Sequence, residues 1–422
     1  MARRVFNPHQ PRQAPELGPT PETATETRVL GQTHVRRAEH ADGEGRAIYD
    51  EVARNRLLPS AEECARIEDA VTPPALMHAV EDLLAREPAF GALMPSDGAR
   101  HDLMHIFRAL PLTPTLAFKV TVARDQRPEI LDHSLRVAYC AAALAEHCRM
   151  AHHEVVNAAA AGLFHDMGLL HVDPELLDDT RPLQEHERHY LYSHPLTGYL
   201  ILEHSPIWHP IVSTAVLEHH ERIDGSGYPK GLTGERLGRL GQLLAVAELA
   251  ATLLTHGGGY SSRDRLGIVL RMNEGKLNHE YCSHLMAMFP ATAAWGGQRR
   301  TPGVALEVLV GLSVAFMRWQ SIQAQQPRAP MANFIGHRMG QLGHALADVG
   351  IDLEYWSTFS MDGDLDAASL GEMEVAAREG VWQLHAIGRE ICRRWDQLIP
   401  GSEAIAPAVV DWIDSSEGVR RT

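Results

Sequence analysis

The stretch HHERIDGSGYP, from His219 to Pro229, decides how this chain is interpreted. Two adjacent histidines come directly before a segment that contains two glycines, a tyrosine and a proline. In a structural interpretation, a helix ends after His220, and Gly225 and Gly227 turn the chain. In a chemical interpretation, the histidines hold a metal ion and the loop forms the floor of a pocket. Both interpretations fit the stretch itself, so the rest of the chain has to distinguish them.

The composition indicates a globular protein with an acidic surface. The chain has 422 residues, of which 45% are apolar and 22% charged, and its formal net charge is -15. This charge argues against a nucleic-acid duplex or an anionic membrane as the main partner. A small anionic substrate stays possible because bound metal ions can reverse the local field.

The chain carries signs of a cytoplasmic location. It has five cysteines and no CxxC motif, which is typical of a reducing compartment. We expect no secretory signal, because the N-terminal residues contain no apolar segment, and we expect no membrane span, because the longest apolar run is short.

Helical periodicity extends over most of the chain and predicts an all-α protein. Residues 1–40 are rich in proline, threonine and charge, which predicts a disordered tail. We then expect a helical N-terminal region at 41–114, a central domain at 115–295 and a helical C-terminal region at 296–422. Neither alternating strands nor a glycine-rich phosphate loop is found, which excludes Rossmann and P-loop folds.

The C-terminal region carries an apolar helical stripe. It predicts either packing in the core or a dimer interface, and the helical flanks could also bind a signalling partner. The stripe consists of Val381, Leu384, Ile391, Trp395 and Leu398.

Histidines and acidic residues recur at spacings that suit metal binding. Glu129 and His133 lie four residues apart in a helical pattern and therefore share one face. Glu248 lies in the apolar segment LLAVAELAATLL, where an unpaired carboxylate is costly to bury. A second His-Asp pair, His101-Asp102, has no comparable motif around it, and we interpret it as a surface feature. The other candidates are His165, Asp166, His194, His219 and His220.

Taken together, five motifs resemble those of the HD-GYP family, a branch of the HD phosphohydrolase superfamily. The resemblance covers about residues 115–295, and the fourth motif is long and specific. The motifs are E-x3-H-S-x-R-V-A (Glu129 to Ala138), L-x-H-D-x-G (Leu163 to Gly168), H-P-x-x-G (His194 to Gly198), H-H-E-x-x-D-G-x-G-Y-P (His219 to Pro229) and A-V-A-E (Ala245 to Glu248).

The resemblance implies a fold, cofactors and a reaction. The fold would be an HD-superfamily helical bundle with helical flanking regions. The site would hold two or three divalent metal ions, most often iron or manganese, which a mixed imidazole and carboxylate donor set suits. The reaction would be hydrolysis of the cyclic dinucleotide cyclic di-GMP to pGpG or GMP, by attack of a metal-bound hydroxide on phosphorus.

The resemblance also implies a role for each matching residue. His165 and Asp166 would be the catalytic pair, with Asp166 as a ligand that bridges two metals. The implied metal ligands are Glu129, His133, His165, Asp166, His194, His219, His220 and Glu248. The implied substrate-binding residues are Arg222, Asp224, Gly225, Gly227, Tyr228, Pro229 and Lys230. For Arg222 and Lys230, a solvated surface charge is an equally open alternative.

Three positions depart from the family pattern. Leu169 stands where the family has a lysine that would bind the substrate phosphate. Glu248 stands where the family has aspartate, and Ala251 where it has a second aspartate. Three functions therefore stay open: a phosphodiesterase for cyclic di-GMP, a weakly active or inactive sensor that binds a cyclic dinucleotide or a partner, and an HD phosphohydrolase for another nucleotide.

Overall fold

The computed structural model of the protein describes residues 57–60, 62, 64, 69–94, 96–177, 185–255, 262–289, 303–327, 329–353, 367–395 and 406–417. These residues are predominantly helical, and they contain no β-strand beyond an isolated bridge between Asp224 and Thr233. The predicted all-α fold is therefore confirmed. The predicted disordered tail at 1–40 lies outside the described residues.

The helices follow one another closely along the chain. In the central part, 3-10 segments at Met167–His171, Pro174–Leu177 and Gly234–Arg236 interrupt them. The described α-helices are α1 (Pro73–Arg86), α2 (Pro88–Gly91), α3 (Asp97–Ala109), α4 (Pro114–Gln126), α5 (Pro128–His147), α6 (His152–Phe164), α7 (Glu185–Tyr192), α8 (His194–Glu203), α9 (Ile211–Glu218), α10 (Arg239–Thr255), α11 (Ser262–Met272), α12 (His279–Met288), α13 (Gly303–Gln325), α14 (Pro330–Asp348), α15 (Ala367–Arg394) and α16 (Ala406–Glu417).

Local sequence signals fix where several of these helices begin. The side chains of Thr72, Ser96 and Thr113 accept hydrogen bonds from backbone N–H groups in the first turns of α1, α3 and α4. Thr72 and Thr113 are each followed by proline, whose fixed φ suits the first helical position. These caps satisfy N–H groups that have no partner within the helix.

Helices α5 and α6 form the centre of the core. In α5 every residue from Val137 to Ala145 is buried, and α6 packs a run of small residues against it. At Gly162 the backbones approach so closely that an added Cβ would lie 2.5 Å from the Cα of Ala138. This close packing brings the middle of α5 next to the C-terminal end of α6, and α10 packs against both helices.

The C-terminal helices pack against the central part of the chain. Helix α15 contacts α11, α13 and α14. Val381, Leu384 and Ile391 of the apolar stripe are buried, and Trp395 is partly buried against the same core. Leu398 lies outside the described residues. The stripe is therefore part of the core, as one of its two interpretations predicted.

The described residues of the three predicted regions fall within one compact unit, so the boundaries at 115 and 295 stay predictions. All five cysteines are free thiols.

Within the described ranges, no single helix has the length and apolar composition to cross a membrane. The pair α3 and α4, bent by 112°, meets that requirement only when its two members are taken together.

Candidate metal centre and adjoining pocket

Four helices bring six of the eight predicted ligands together in the middle of the fold. His133 comes from α5, the pair His165-Asp166 from the C-terminal end of α6, and His194 from the first residue of α8. His219 and His220 follow the last turn of α9. These residues form two groups that suit a metal ion. One contains Asp166, His194, His219 and His220, and the other contains His133, His165 and Asp166.

The carboxylate of Asp166 belongs to both groups. Its Oδ2 lies 3.2 Å from His165 Nε2 and 3.8 Å from His133 Nε2. Its Oδ1 lies 3.3 Å from His194 Nε2 and 3.8 Å from His219 Nε2. One carboxylate therefore faces two separate pairs of imidazoles, one pair with each oxygen.

Backbone contacts fix the protonation of three of these histidines. The Nδ1 atoms of His165, His194 and His219 lie 2.8, 2.7 and 2.6 Å from the carbonyl oxygens of Gly162, Leu191 and Val216. A carbonyl oxygen only accepts hydrogen bonds, so Nδ1 must carry the proton in each ring. In the neutral imidazole, Nε2 then presents a lone pair, which is the form that binds a metal ion.

The donor set fits a bound cation. His194 Nε2 and His219 Nε2 lie 3.2 Å apart, and two unprotonated ring nitrogens at this distance repel each other. His165 Nε2 and Glu248 Oε2 are buried without a hydrogen-bond partner. Buried polar atoms normally have a partner, and a metal ion would supply one for these nitrogen and oxygen atoms.

The electrostatics of the cluster follow from burial and from its mixed charges. Burial by itself would raise the pKa of Asp166, but the surrounding His165 and His194 hold this pKa well below its usual range. Burial and the neighbouring histidines lower the pKa of His219 and of His220 well below the usual value. The centre therefore favours an ionised aspartate beside neutral imidazoles at His219 and His220. At His165, burial would lower the pKa, but the Asp166 carboxylate raises it to about 9, so metal binding has to displace a proton from this ring.

Two predicted ligands lie outside the two groups. Glu248 on α10 is partly buried, with 20% of its side chain exposed and its Oε2 3.8 Å from His220 Nδ1, and this burial raises the pKa of its carboxyl. Its carboxylate therefore borders the centre. Glu129 is 62% exposed and accepts a 2.7 Å hydrogen bond from Arg127 Nε. The fold does not bring Glu129 to the cluster, so its role as a ligand stays a prediction that the geometry does not support.

The segment after Asp166 explains the motif L-x-H-D-x-G. A Cβ at Gly168 would lie 2.0 Å from the carbonyl oxygen of His194, so only glycine fits beside α8. Leu169, at the position of the family's lysine, packs in an apolar cluster with Phe118 and Ile130. This residue therefore contributes to packing, and it presents no charge to a substrate.

The loop after His220 is organised by a buried glutamate. Glu221, which is 1% exposed, accepts backbone N–H groups from Lys230, Gly231 and Leu232 at 2.6, 3.1 and 3.0 Å. Sequence reasoning did not single out Glu221, although its place inside the fourth motif was a signal. A Cβ at Gly227 would lie 2.3 Å from the Cα of this glutamate. Glu221 and Gly227 thus hold the two ends of the loop together.

The predicted substrate-binding residues occupy different places in this loop. Gly225 has a φ of +77°, a conformation that favours glycine. Tyr228 stacks on His220, with ring centroids 4.6 Å apart, and with Pro229 it lines a pocket. Arg222 also lines this pocket, and its Nη1 donates to the carbonyls of His219 and Glu221.

Asp224 and Lys230 differ from the other predicted substrate-binding residues. The Asp224 carboxylate lies at the pocket wall, where it pairs with Arg338 Nη1 at 2.9 Å and accepts from Ser226. Lys230 is exposed, which agrees with the alternative interpretation of this residue as a solvated surface charge. The fold therefore does not direct either residue at the centre.

The pocket itself has a volume of about 310 Å³ and adjoins the metal cluster at His220. One wall is the loop with α7 and α8, and the opposite wall comes from α14 and α15. Sequence reasoning did not single out the wall residues Arg338, Trp382 and Arg389. The distance in sequence to the loop is more than a hundred residues, so no motif spacing connects them.

The second His-Asp pair has no part in this centre. His101, Asp102 and His105 are exposed on α3. His101 and His105 contact each other through their Nε2 atoms at 3.0 Å.

Comparisons with known proteins find relatives for part of the chain. The HD domain family matches residues 120–273. The cyclic di-GMP phosphodiesterase response regulator RpfG of Xanthomonas campestris is 35% identical over 121 residues, which is 28% of this chain and 32% of that protein. A cyclic di-GMP phosphodiesterase of Pseudomonas aeruginosa is 34% identical over 117 residues, 28% of each chain.

A third relative has a longer aligned region. The 3'3'-cGAMP-specific phosphodiesterase 1 of Vibrio cholerae is 25% identical over 214 residues, 48% of each chain. The matched part of this chain thus spans between about a quarter and a half of the length of these curated relatives.

Proposed function

Residues 120–273 belong to the HD domain family and carry the motifs of its HD-GYP branch, and from this premise we propose that the protein is a metal-dependent phosphodiesterase for a cyclic dinucleotide. The relatives described above are named as phosphodiesterases for cyclic di-GMP or 3'3'-cGAMP. We take cyclic di-GMP as the first substrate, with cleavage to pGpG or GMP.

The observation that carries this proposal is the position of Asp166 between two pairs of imidazoles. His133 and His165 would hold one metal ion, and His194, His219 and His220 a second, with Asp166 shared by both. Glu248 borders the centre at His220 and would complete it. Imidazole and carboxylate donors suit iron or manganese. When bound, such ions polarise a phosphoryl oxygen and lower the pKa of water.

The protein supplies the shape and orientation of the site. Backbone carbonyls hold His165, His194 and His219 in the tautomer that directs Nε2 at the centre. Tyr228, stacked on His220, separates the metal cluster from the wider pocket and would place the scissile phosphate between them. We propose that Arg222, held by two backbone carbonyls, directs its positive charge at that phosphate.

A second candidate is a sensor that binds a cyclic dinucleotide without turnover. Leu169 favours it, because an apolar side chain in the packed core replaces the cation that the family uses for substrate phosphate.

The free thiols and a cyclic dinucleotide substrate both fit the expected cytoplasmic location.

The proposal is tested with purified protein loaded anaerobically with Fe(II) or Mn(II). Cyclic di-GMP and 3'3'-cGAMP are supplied separately, and products are separated by chromatography. Asp166→Ala is the inactivating variant. Asp102→Ala, in the exposed His-Asp pair of α3, is the matched control. We expect metal-dependent cleavage by the wild type and by Asp102→Ala, and none by Asp166→Ala.

Each other outcome selects a different function. Binding of a cyclic dinucleotide by metal-loaded protein without cleavage would select the sensor. Cleavage of other phosphoesters alone would select an HD phosphohydrolase for a different nucleotide.

A further inference from the structure

The pocket beside the HD-GYP loop is closed by helices that the family match does not include. Residues 120–273 supply Tyr192 and Tyr228 on one wall. The facing wall consists of side chains from α14 and α15, among them Trp382 and Arg389. The C-terminal region therefore lines this pocket as well as forming part of the core.

Flat side chains form a continuous row from the metal cluster to this outer wall. His220 stacks on Tyr228, whose ring lies 4.9 Å from that of Tyr192. The guanidinium of Arg389 lies 6.0 Å from the Tyr192 ring and 5.6 Å from the Trp382 ring. Rings and a planar guanidinium are the surfaces on which nucleic-acid bases stack.

The charge of the pocket also suits a nucleotide. Five cationic side chains line it, Arg188, Arg222, Lys276, Arg338 and Arg389, against the carboxylates of Asp224 and Glu390. Arg338 pairs with both carboxylates at 2.9 Å, so a positive excess is left at the pocket. In a chain of net charge -15, this local excess favours an anionic ligand.

We propose that Trp382 and Arg389 of α15 form a purine-binding subsite that stacks one base of the cyclic dinucleotide while its phosphate lies at the metal cluster. The subsite rests on the proposed function for the identity of its ligand. It would supply affinity that the missing lysine at Leu169 does not, and it would make the C-terminal region necessary for substrate binding.

The test separates the base from the phosphate. GMP carries one purine base and one phosphate, whereas ribose 5-phosphate carries the phosphate alone. Dissociation constants of both compounds are measured by calorimetry with Mn(II)-loaded protein. We expect wild-type protein to bind GMP about 10- to 100-fold more tightly than ribose 5-phosphate, the range that stacking of one base provides.

The variants assign this preference to α15. Trp382→Ala and Arg389→Ala should lose most of the preference for GMP and keep their affinity for ribose 5-phosphate. Trp382→Phe should keep most of the preference, because a ring is still present. Arg378→Ala is the matched control, since Arg378 lies on the same helix, is 46% exposed and pairs with Glu374. Circular dichroism verifies that each variant is folded.

Two results would overturn the subsite. One is equal binding of GMP and ribose 5-phosphate by the wild type, and the other is an unchanged preference in Trp382→Ala. The proposed function can fail separately. Loss of GMP preference in Trp382→Ala, together with no turnover of any cyclic dinucleotide, would retain the subsite and reject the phosphodiesterase. Turnover of cyclic di-GMP with an unchanged KM in Trp382→Ala would retain the phosphodiesterase function and reject the subsite.

Discussion

At the scale of single residues, the centre depends on how each side chain is held. Asp166 directs one oxygen to His165 and the other to His194, and the two rings are themselves fixed through Nδ1. A chain segment of two residues, His165-Asp166, therefore serves both halves of the cluster. The same dipeptide at His101-Asp102 is exposed on α3, so the dipeptide alone is not what makes the site.

Removal of the shared carboxylate should remove both metals. For Asp166→Ala we expect less than about a tenth of the wild-type metal content, because each proposed site loses a ligand and needs deprotonated donors. His133→Ala should lose about half, because His133 belongs to one group only. Metal is quantified by mass spectrometry after gel filtration. Asp102→Ala should keep full content, and a full metal load in Asp166→Ala would contradict the shared role.

A buried lysine should give stability a particular pH dependence. Lys119 is fully buried with Nζ 3.0 Å from His171 Nε2, and burial lowers its pKa from 10.5 to about 7, against a smaller opposing effect of Cys64. Between these values the unfolded chain binds the proton and the folded chain does not. The free energy of unfolding therefore rises with pH in that window.

Lys119→Met should abolish this rise. The free energy of unfolding of the variant, relative to that of the wild type, should be greater at pH 7 than at pH 10. We expect this relative stability to fall by an amount on the order of 2–4 kcal/mol between the two pH values. Urea unfolding at several pH values measures it. Lys230→Met, at an exposed lysine, is the control and should follow the wild type. If the free energies of unfolding of Lys119→Met and the wild type changed in parallel with pH, Lys119 would be shown to stay protonated in the folded protein.

At the scale of elements, close helix packing sets the distance between ligands. Gly162 lets α6 lie against α5 at Ala138, and this contact places His133 of α5 beside His165. Gly168 similarly lets the 3-10 segment approach α8 at the carbonyl of His194. Gly162 and the motif residue Gly168 are therefore both required for steric reasons, and the atoms that an added Cβ would meet lie in neighbouring elements.

A methyl group at Gly162 should separate the two helices. We expect Gly162→Ala to lower the free energy of unfolding by about 1–3 kcal/mol, the usual cost of overpacking, and to weaken metal binding. Gly340→Ala is the control, because Gly340 is an exposed residue of α14 with no atom near an added Cβ. It should be neutral or stabilising by up to about 1 kcal/mol. Chemical denaturation compares the two, and equal stabilities would contradict the steric explanation.

At the scale of the whole molecule, the C-terminal helices fix the HD-GYP loop. Arg338 of α14 binds Asp224 of the loop and Glu390 of α15 with 2.9 Å contacts. Glu390 is 1% exposed, and its carboxylate pairs with Arg338 and with Arg394, which is 3.0 Å away. One buried network thus connects the loop to two helices more than a hundred residues further along the chain.

Loss of Arg338 should therefore affect both stability and binding. We expect Arg338→Met to cost about 2–4 kcal/mol of folding free energy, because Asp224 and Glu390 lose a buried partner. It should also raise the KM for cyclic di-GMP by displacing the loop. Arg378→Met removes an arginine that is 46% exposed in its pair with Glu374, and it should change stability by about 1 kcal/mol or less. Equal effects of the two variants in urea unfolding would contradict the role of Arg338.

The sequence by itself determined the features that repeat at short spacing. Helical periodicity predicted the all-α fold, and the motifs around Asp166 and His219 contain the candidate ligands that the structure brings into two groups. These features depend on residues a few positions apart, which one helix turn or one loop brings together.

Only the tertiary structure decided the rest. It left Glu129 at the surface with Arg127, gave Glu221 its three backbone partners and placed Trp382 opposite Tyr192. These outcomes depend on contacts between segments that are distant in sequence or on the direction of a side chain from its helix. Such contacts form because packing the whole core selects them, and no local pattern records which segments will meet.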